Sequence, residues 1–188
     1  MISARRNRIG AVMAAAAAAI LVVGGCSDDS SADDIGQATK ADVPTGHAGE
    51  GPFFGECGGV TTDEVSAVSK IGGLTNTINN PSVCEWVTSQ DQLGPQLSFN
   101  WYRGSPIGRE RATIQLSRDV VEDITIDGHT GFIGSSEGIC EIGIGFGADF
   151  FEWSVTYGLQ SPGQVYPSRA EICDVAKTLA TQSIEHAT

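Results

Sequence analysis

The chain has 188 residues, with 11 basic and 23 acidic side chains and a formal charge of −12. Binding to nucleic acid, or to anionic headgroups through charge, needs clustered Lys and Arg, so this balance excludes both modes. The length suits one folded domain plus flanking segments rather than several domains.

Arg5, Arg6 and Arg8 precede an apolar run, Ile9 to Val23, and the stretch Val23-Gly24-Gly25-Cys26 follows. A positive start, an apolar stretch and small residues before a cleavage point make an export signal. The apolar run is 15 residues long, short of the ~20 that a membrane-spanning helix needs. The small residues meeting Cys26 resemble a bacterial lipobox, in which that cysteine is acylated and becomes the new N-terminus. Residues 1–25 are therefore expected to be removed. Without their three arginines the mature chain has 8 basic and 23 acidic residues, a charge of −15. Such a chain is expected to hold a membrane by acyl chains at Cys26, each buried methylene contributing about 0.8 kcal/mol. The expected location is the outer, extracytoplasmic face of the cell membrane.

Residues 26–50 read as the lipidated cysteine and an acidic tether. The runs Asp28-Asp29-Ser30-Ser31 and Asp33-Asp34 are polar, and aromatic residues are absent before Phe53. Such a segment buries too little apolar surface to order itself. The spacing of the acids lacks the glycine turn and distal Glu of a calcium loop.

Residues 51–188 are expected to form a single α+β domain. Thr61-Thr62-Asp63-Glu64 is a capping box that opens a helix, with Val65, Val68 and Ile71 as its apolar stripe and Gly72-Gly73 as its end. Val83 to Thr88 reads as a strand with Cys84 and Trp86 on one face. In Gln96 to Arg103, Leu97, Phe99 and Trp101 alternate with Ser98, Asn100 and Tyr102, the period of a half-buried strand. Ser105-Pro106 opens a helix over roughly 106–117, with Ile107 and Ile114 inward.

Four strands follow. Val120 to Ile126 and His129 to Ile133 flank Asp127-Gly128, a two-residue hairpin signal. Ile139 to Phe146 aligns Cys140, Ile142, Ile144 and Phe146; Phe150 to Tyr157 aligns Phe151, Trp153, Val155 and Tyr157. Ser168-Arg169-Ala170-Glu171 is a second capping box, opening a helix with the stripe Ile172, Val175, Ala176 and Leu179. Tight hairpins make neighbours antiparallel, and single-stripe helices need a sheet to cover. The expectation is an antiparallel sheet of about six strands with helices packed on one face, the other face being partly open.

Cys57, Cys84, Cys140 and Cys173 are even in number and face an oxidising compartment, which favours two disulfides. Three pairings are possible; Cys57–Cys84 and Cys140–Cys173, joining elements close in sequence, are expected. No C-x-x-C occurs and no zinc spacing is matched, so no cofactor and no metal is expected.

Cys57 before the capped helix, Cys84-Glu85-Trp86 after it, the strand Leu97 to Arg103, the turn Ile126 to His129, Cys140 opening a strand and the lipobox together resemble a known family. They are similar to the actinobacterial lipoproteins of domain of unknown function 3558, over about residues 51–185 plus the signal. The resemblance implies an exported cell-envelope lipoprotein with a diacylglyceryl group on Cys26. It carries no established activity and no catalytic residues.

Catalytic candidates are few. Gly134-Ser135-Ser136-Glu137-Gly138 matches G-x-S-x-G, but a nucleophile elbow needs a strand before the serine and a helix after it. Here the motif joins two strands. His129 is the histidine available to Ser135 or Ser136 inside the domain, His186 lying three residues from the end. Arg103, Arg109 and Arg111, near Tyr102 and Trp101, form a candidate anion-binding spot on an acidic domain; ion pairing on a solvated helix face is the plainer alternative. Trp86, Trp101 and Trp153 read as core, the alternative being the lining of a cleft between sheet and helix that shields a lipid tail. The leading expectation is a monomeric, non-enzymatic binding or accessory module whose ligand is an envelope lipid, a glycan or an envelope protein. The runner-up is an envelope serine hydrolase using Ser135 or Ser136 with His129.

Overall fold

A computed structural model describes residues 47–88, 93–158 and 165–188. Cys26, the signal and most of the tether lie outside the described residues. The elements run α1 (Thr62–Ser69), β1 (Thr75–Asn79), β2 (Val83–Val87), β3 (Gln96–Tyr102), α2 (Ile107–Ile114), β4 (Val120–Ile126), β5 (His129–Ser136), β6 (Ile139–Phe146), β7 (Asp149–Thr156) and α3 (Arg169–Glu185).

Seven strands form one antiparallel sheet in the order β1-β2-β3-β7-β6-β5-β4. It is two meanders, β1 to β3 and β4 to β7, joined where β7 pairs with β3. The seventh strand, β1, is an edge strand of sequence Thr-Asn-Thr-Ile-Asn whose residues are mostly exposed. It buries no face, so it shows no alternation in sequence.

Both capping boxes form. Glu64 N donates to Thr61 Oγ1 at 3.3 Å and Thr61 N to Glu64 Oε2 at 2.8 Å; Ser168 and Glu171 repeat the pattern. The first helix stops at Ser69, because Lys70 turns left-handed (φ 58°), ahead of Gly72-Gly73. Asp127 (φ 48°) and Gly128 (φ 82°) make the tight turn between β4 and β5, as a hairpin of the primed kind requires.

The two faces of the sheet differ in kind. On the first, Trp86, Leu97, Phe99, Cys140, Ile142, Ile144, Phe151, Trp153 and Val155 are fully buried. Trp86 stacks on Trp153 at 5.5 Å, and Phe54 meets Trp101, Phe146 and Phe151 edge-on at 4.8–5.1 Å. Helix α3 covers this face. Three polar tips in the layer find acceptors: Trp153 Nε1 donates to Ser183 Oγ (2.9 Å), Trp86 Nε1 to Thr62 Oγ1 (3.0 Å) and the Tyr157 hydroxyl to Ser69 O (2.8 Å). These bonds fix α1 and α3 against the sheet at almost no desolvation cost. The disulfides Cys57–Cys84 and Cys140–Cys173 staple the N-terminal segment to β2 and α3 to β6.

Helix α2 departs from the expectation that the helices share one face. It lies on the opposite side, over β5 and β6. A Cβ added at Gly134 would run into Ile114 Cγ2, and one at Gly145 would touch Ile107 at 3.6 Å. Both glycines belong to the face opposite Cys140 and Ile142. Topology demands this crossing. The chain leaves β3 in the middle of the sheet and must reach β4 at the far edge, while α3 occupies the other side.

Residues just before 51 also contact the sheet. Gly49 N and Gly51 N donate to the two Asp149 oxygens at 2.8 and 3.3 Å. Gly104 N donates to Asp149 Oδ1 (2.8 Å) and Arg103 Nε sits 3.0 Å from Oδ2. Phe53 and Thr188 exchange backbone hydrogen bonds, so the two ends of the domain are tied together.

Candidate functional site

The second sheet face is mixed rather than apolar, and α2 divides it. On the β4 side of the helix a cleft of about 410 Å³ opens, lined by Ile107, Gly108, Arg111, Asp123, Ile124, Thr125, Thr130, Gly131 and Phe132. Its size is within the range of small-molecule sites. Ile107 and Phe132 form its apolar wall; the Ile124 side chain, alternating with Asp123, packs toward the core on the other face. Arg111 Nε pairs with Asp123 Oδ1 at 3.0 Å on its rim. Because Asp123 is mostly exposed, that pair is solvent-screened and exchangeable.

On the β7 side of α2 lies a group of carboxylates. Arg118, just past the helix, grips Glu141 side-on with Nε and Nη2, at 2.6 and 2.9 Å. Ser154 Oγ adds a bond to Glu141 at 3.4 Å. Glu152, paired across the strands with Asn100 and Gly143, is only 7 % exposed, and its Oε2 has no hydrogen-bond partner. Burial, then the charges of Glu141 and Glu110, push its carboxyl up to about 8, against a weaker opposing pull from Arg118. At neutral pH it is therefore largely protonated. Tyr102, stacked on Phe150 at 4.5 Å, shares this environment. Burial and the same three glutamates raise its hydroxyl to about 12.

A second depression, about 520 Å³ and polar, lies at the other end of the strands, lined by Asp119, Glu137, Gly138, Tyr166, Pro167, Ser168 and Arg169.

The five residues expected to form a binding spot do not converge. Trp101 and Tyr102 are neighbours in a strand and so face opposite sides. Trp101 lies in the Phe54 layer and Tyr102 among the glutamates. Arg103 is committed to Asp149 and to Gly49 O (2.6 Å) and lies 5.5 Å over the Trp101 ring. Arg109 donates to Ser105 Oγ. Arg111 alone lines the cleft. The expected anion spot is thus divided by strand alternation and by ion pairing.

The serine–histidine pairing is not assembled either. Gly134 to Gly138 is the β5–β6 hairpin. Ser135 is buried, and Ser136 Oγ accepts from Asp119 N at 3.0 Å. His129 packs on Phe146 at 4.3 Å, at the opposite end of β5. Six or seven strand residues, roughly 20 Å, separate it from the serines. Among the described residues no group of three His, Cys, Asp or Glu side chains is arranged to hold a metal, and no helix is long and apolar enough to cross a membrane.

Asp149, Glu141 and Glu152 were not singled out in sequence. Alternation places Glu141 and Glu152 on the face opposite Ile142 and Trp153, which reads as solvent. The signal that this face is covered is the small-residue set Gly134, Gly143 and Gly145, the space in which α2 and the Phe132 ring lie.

A disulfide-stapled α+β sheet domain with a clefted second face defines the class of molecule. The model of the family described as protein of unknown function (DUF3558) matches residues 21–186, and the chain belongs to that family. It is 47 % identical over 161 residues to proteins named "Putative lipoprotein LprB" from Mycobacterium bovis and Mycobacterium tuberculosis, covering 82 % of this chain and 83 % of the relatives. It is also 47 % identical over 140 residues to the Mycobacterium leprae protein of that name, covering 71 % of each. No solved structure matches it significantly.

Proposed function

We propose that this chain is a non-enzymatic binding module of the cell envelope, held at the membrane through acylated Cys26, with the cleft beside α2 as its ligand site. The names of its relatives as lipoproteins support the anchoring, and the signal layout before Cys26 supports the site of acylation. The observation that carries the binding reading is the α2 cleft, where the apolar wall of Ile107 and Phe132 meets Arg111. An apolar wall with one cation at the rim suits a ligand with a short apolar tail and an anionic end. The ligand's anion would take over Arg111 from the exposed Asp123, a swap that costs little because a surface ion pair contributes only ~0–1 kcal/mol.

Laurate, titrated into isotopically labelled protein, tests this. Shifts in the Ile107 and Phe132 side-chain resonances are expected, with at least about tenfold weaker binding in Arg111→Ala, the equivalent of ~1.4 kcal/mol. Saturating laurate without movement of those resonances counts against the site. Shifts of equal affinity in Arg111→Ala count against the anionic end.

A further inference from the structure

We propose that α2 is a pH-dependent flap over the second sheet face, seated while Glu152 is neutral and loosened when Glu152 ionises. The inference goes beyond ligand binding and stands without it.

The helix is held at two places. Near its start Ile107 lies over Gly145; near its end Ile114 fills the space at Gly134. Immediately after it, Arg118 closes the attachment by a side-on, two-point bond to Glu141. Arg118 N also bonds Ile114 O, so the latch is continuous with the helix. α2 has only eight residues and is too short to hold its shape without these contacts.

Glu152 lies next to the latch, on β7, with Glu141 on the neighbouring strand two residues along from its cross-strand partner Gly143. The charged and titratable groups facing it are Glu141 from β6, Tyr102 from β3, Glu110 from α2 and Arg118 from the segment after α2. Asn100 on β3 and Ser154 on β7 are neutral, and β5 presents the Phe132 ring. Arg111 is turned away to Asp123. Among the described residues the cation acting on Glu152 is Arg118, and it is already engaged by Glu141 and by Ser117 O. A neutral Glu152 is tolerated there. An ionised one has an unpartnered buried oxygen, repels Glu110 on the helix itself, and competes with Glu141 for Arg118. Lifting α2 relieves all three by admitting water.

The sign follows from proton linkage. With the flap seated, Glu152 holds its proton up to a pH of about 8; in the unfolded or opened form it reverts toward its ordinary value of 4.5. Opening therefore releases a proton between those two values. The opening equilibrium rises with pH by up to about tenfold per unit in that window and levels off above it. The cleft against Phe132 and Ile107 is bounded by the same helix, so opening would enlarge its mouth.

Amide hydrogen exchange of the mature chain tests the proposal, with rates corrected for the intrinsic dependence on pH. From about pH 5 to 8 the protection of α2 amides is expected to fall by several-fold per unit, while that of α3 amides stays constant. In Glu152→Gln the α2 protection is expected to be independent of pH. Constant α2 protection in the native chain, or an equal fall in Glu152→Gln, overturns the proposal. Should Glu152→Gln fail to fold, carbon-13 titration of the native side-chain carboxyl decides it: a midpoint above 7 supports the flap, and one near 4.5 overturns it.

Discussion

Asp149 and Glu152 are both buried acids on β7, three residues apart, and they behave in opposite ways. Burial works against ionisation of both. Around Asp149 it is outweighed by three backbone N–H donors, from Gly104, Gly49 and Gly51, and by Arg103, so its carboxyl is held below the ordinary range. Glu152 has no such donors and retains its proton. Stability contributed by Asp149 is thus fully present above its unfolded value of 3.8 and is lost as pH falls through its lower folded value. The Asp149→Ala variant is expected to be less stable by about 3 kcal/mol at pH 7, since each buried group left without a partner costs roughly 1–3 kcal/mol. In urea unfolding it should also lack the native chain's loss of stability on acidification through that range. Unchanged stability at pH 7 would show that the Gly49 to Gly51 segment is held by other contacts. Neither role was legible in the sequence. Asp149 belongs to a turn-like Gly147-Ala148-Asp149 run, and Glu152 alternates with Trp153 as a solvent-facing residue does. What distinguishes them is which backbone amides and helices arrive from 40 to 100 residues away.

At the scale of elements, the strands with a strong period of two were legible. Trp86, Trp101 and Trp153 mark the buried face because each has a polar neighbour in its strand on at least one side, Glu85, Asn100, and Glu152 with Ser154. The two capping boxes were legible because their chemistry is local. Strand β1 was not, as an exposed edge of Asn and Thr carries no pattern. Nor was the side on which α2 packs, since a helix with an apolar stripe fits either face and only the strand order decides. The glycines beneath α2 test that packing. Gly134 has ordinary backbone angles, so Gly134→Ala adds no backbone strain, but its Cβ meets Ile114. Overpacking of this kind costs about 1–3 kcal/mol. Gly134→Ala is expected to lose that much stability, and Ile114→Ala combined with it should lose less than the two separate losses together. Strict additivity in the double-mutant cycle would mean that the helix does not rest on Gly134.

At the scale of the whole molecule, two meanders joined at β3 and β7 leave one face for the helices α1 and α3 and the other for α2 with its cleft. The N-terminal segment meets the sheet at Asp149, beside the β6–β7 turn and the start of the segment leading to α2. The polar depression at Asp119, Glu137 and Arg169 is at the opposite end of the strands. Strands of eight residues separate these ends by about 25 Å. The proposed role depends on an anchor at Cys26. The most direct measurement is intact-mass analysis of the protein extracted from producing cells with detergent. The account predicts a mature chain beginning at Cys26 and carrying a diacylglyceryl group. A soluble chain retaining an unmodified Cys26 thiol would contradict it.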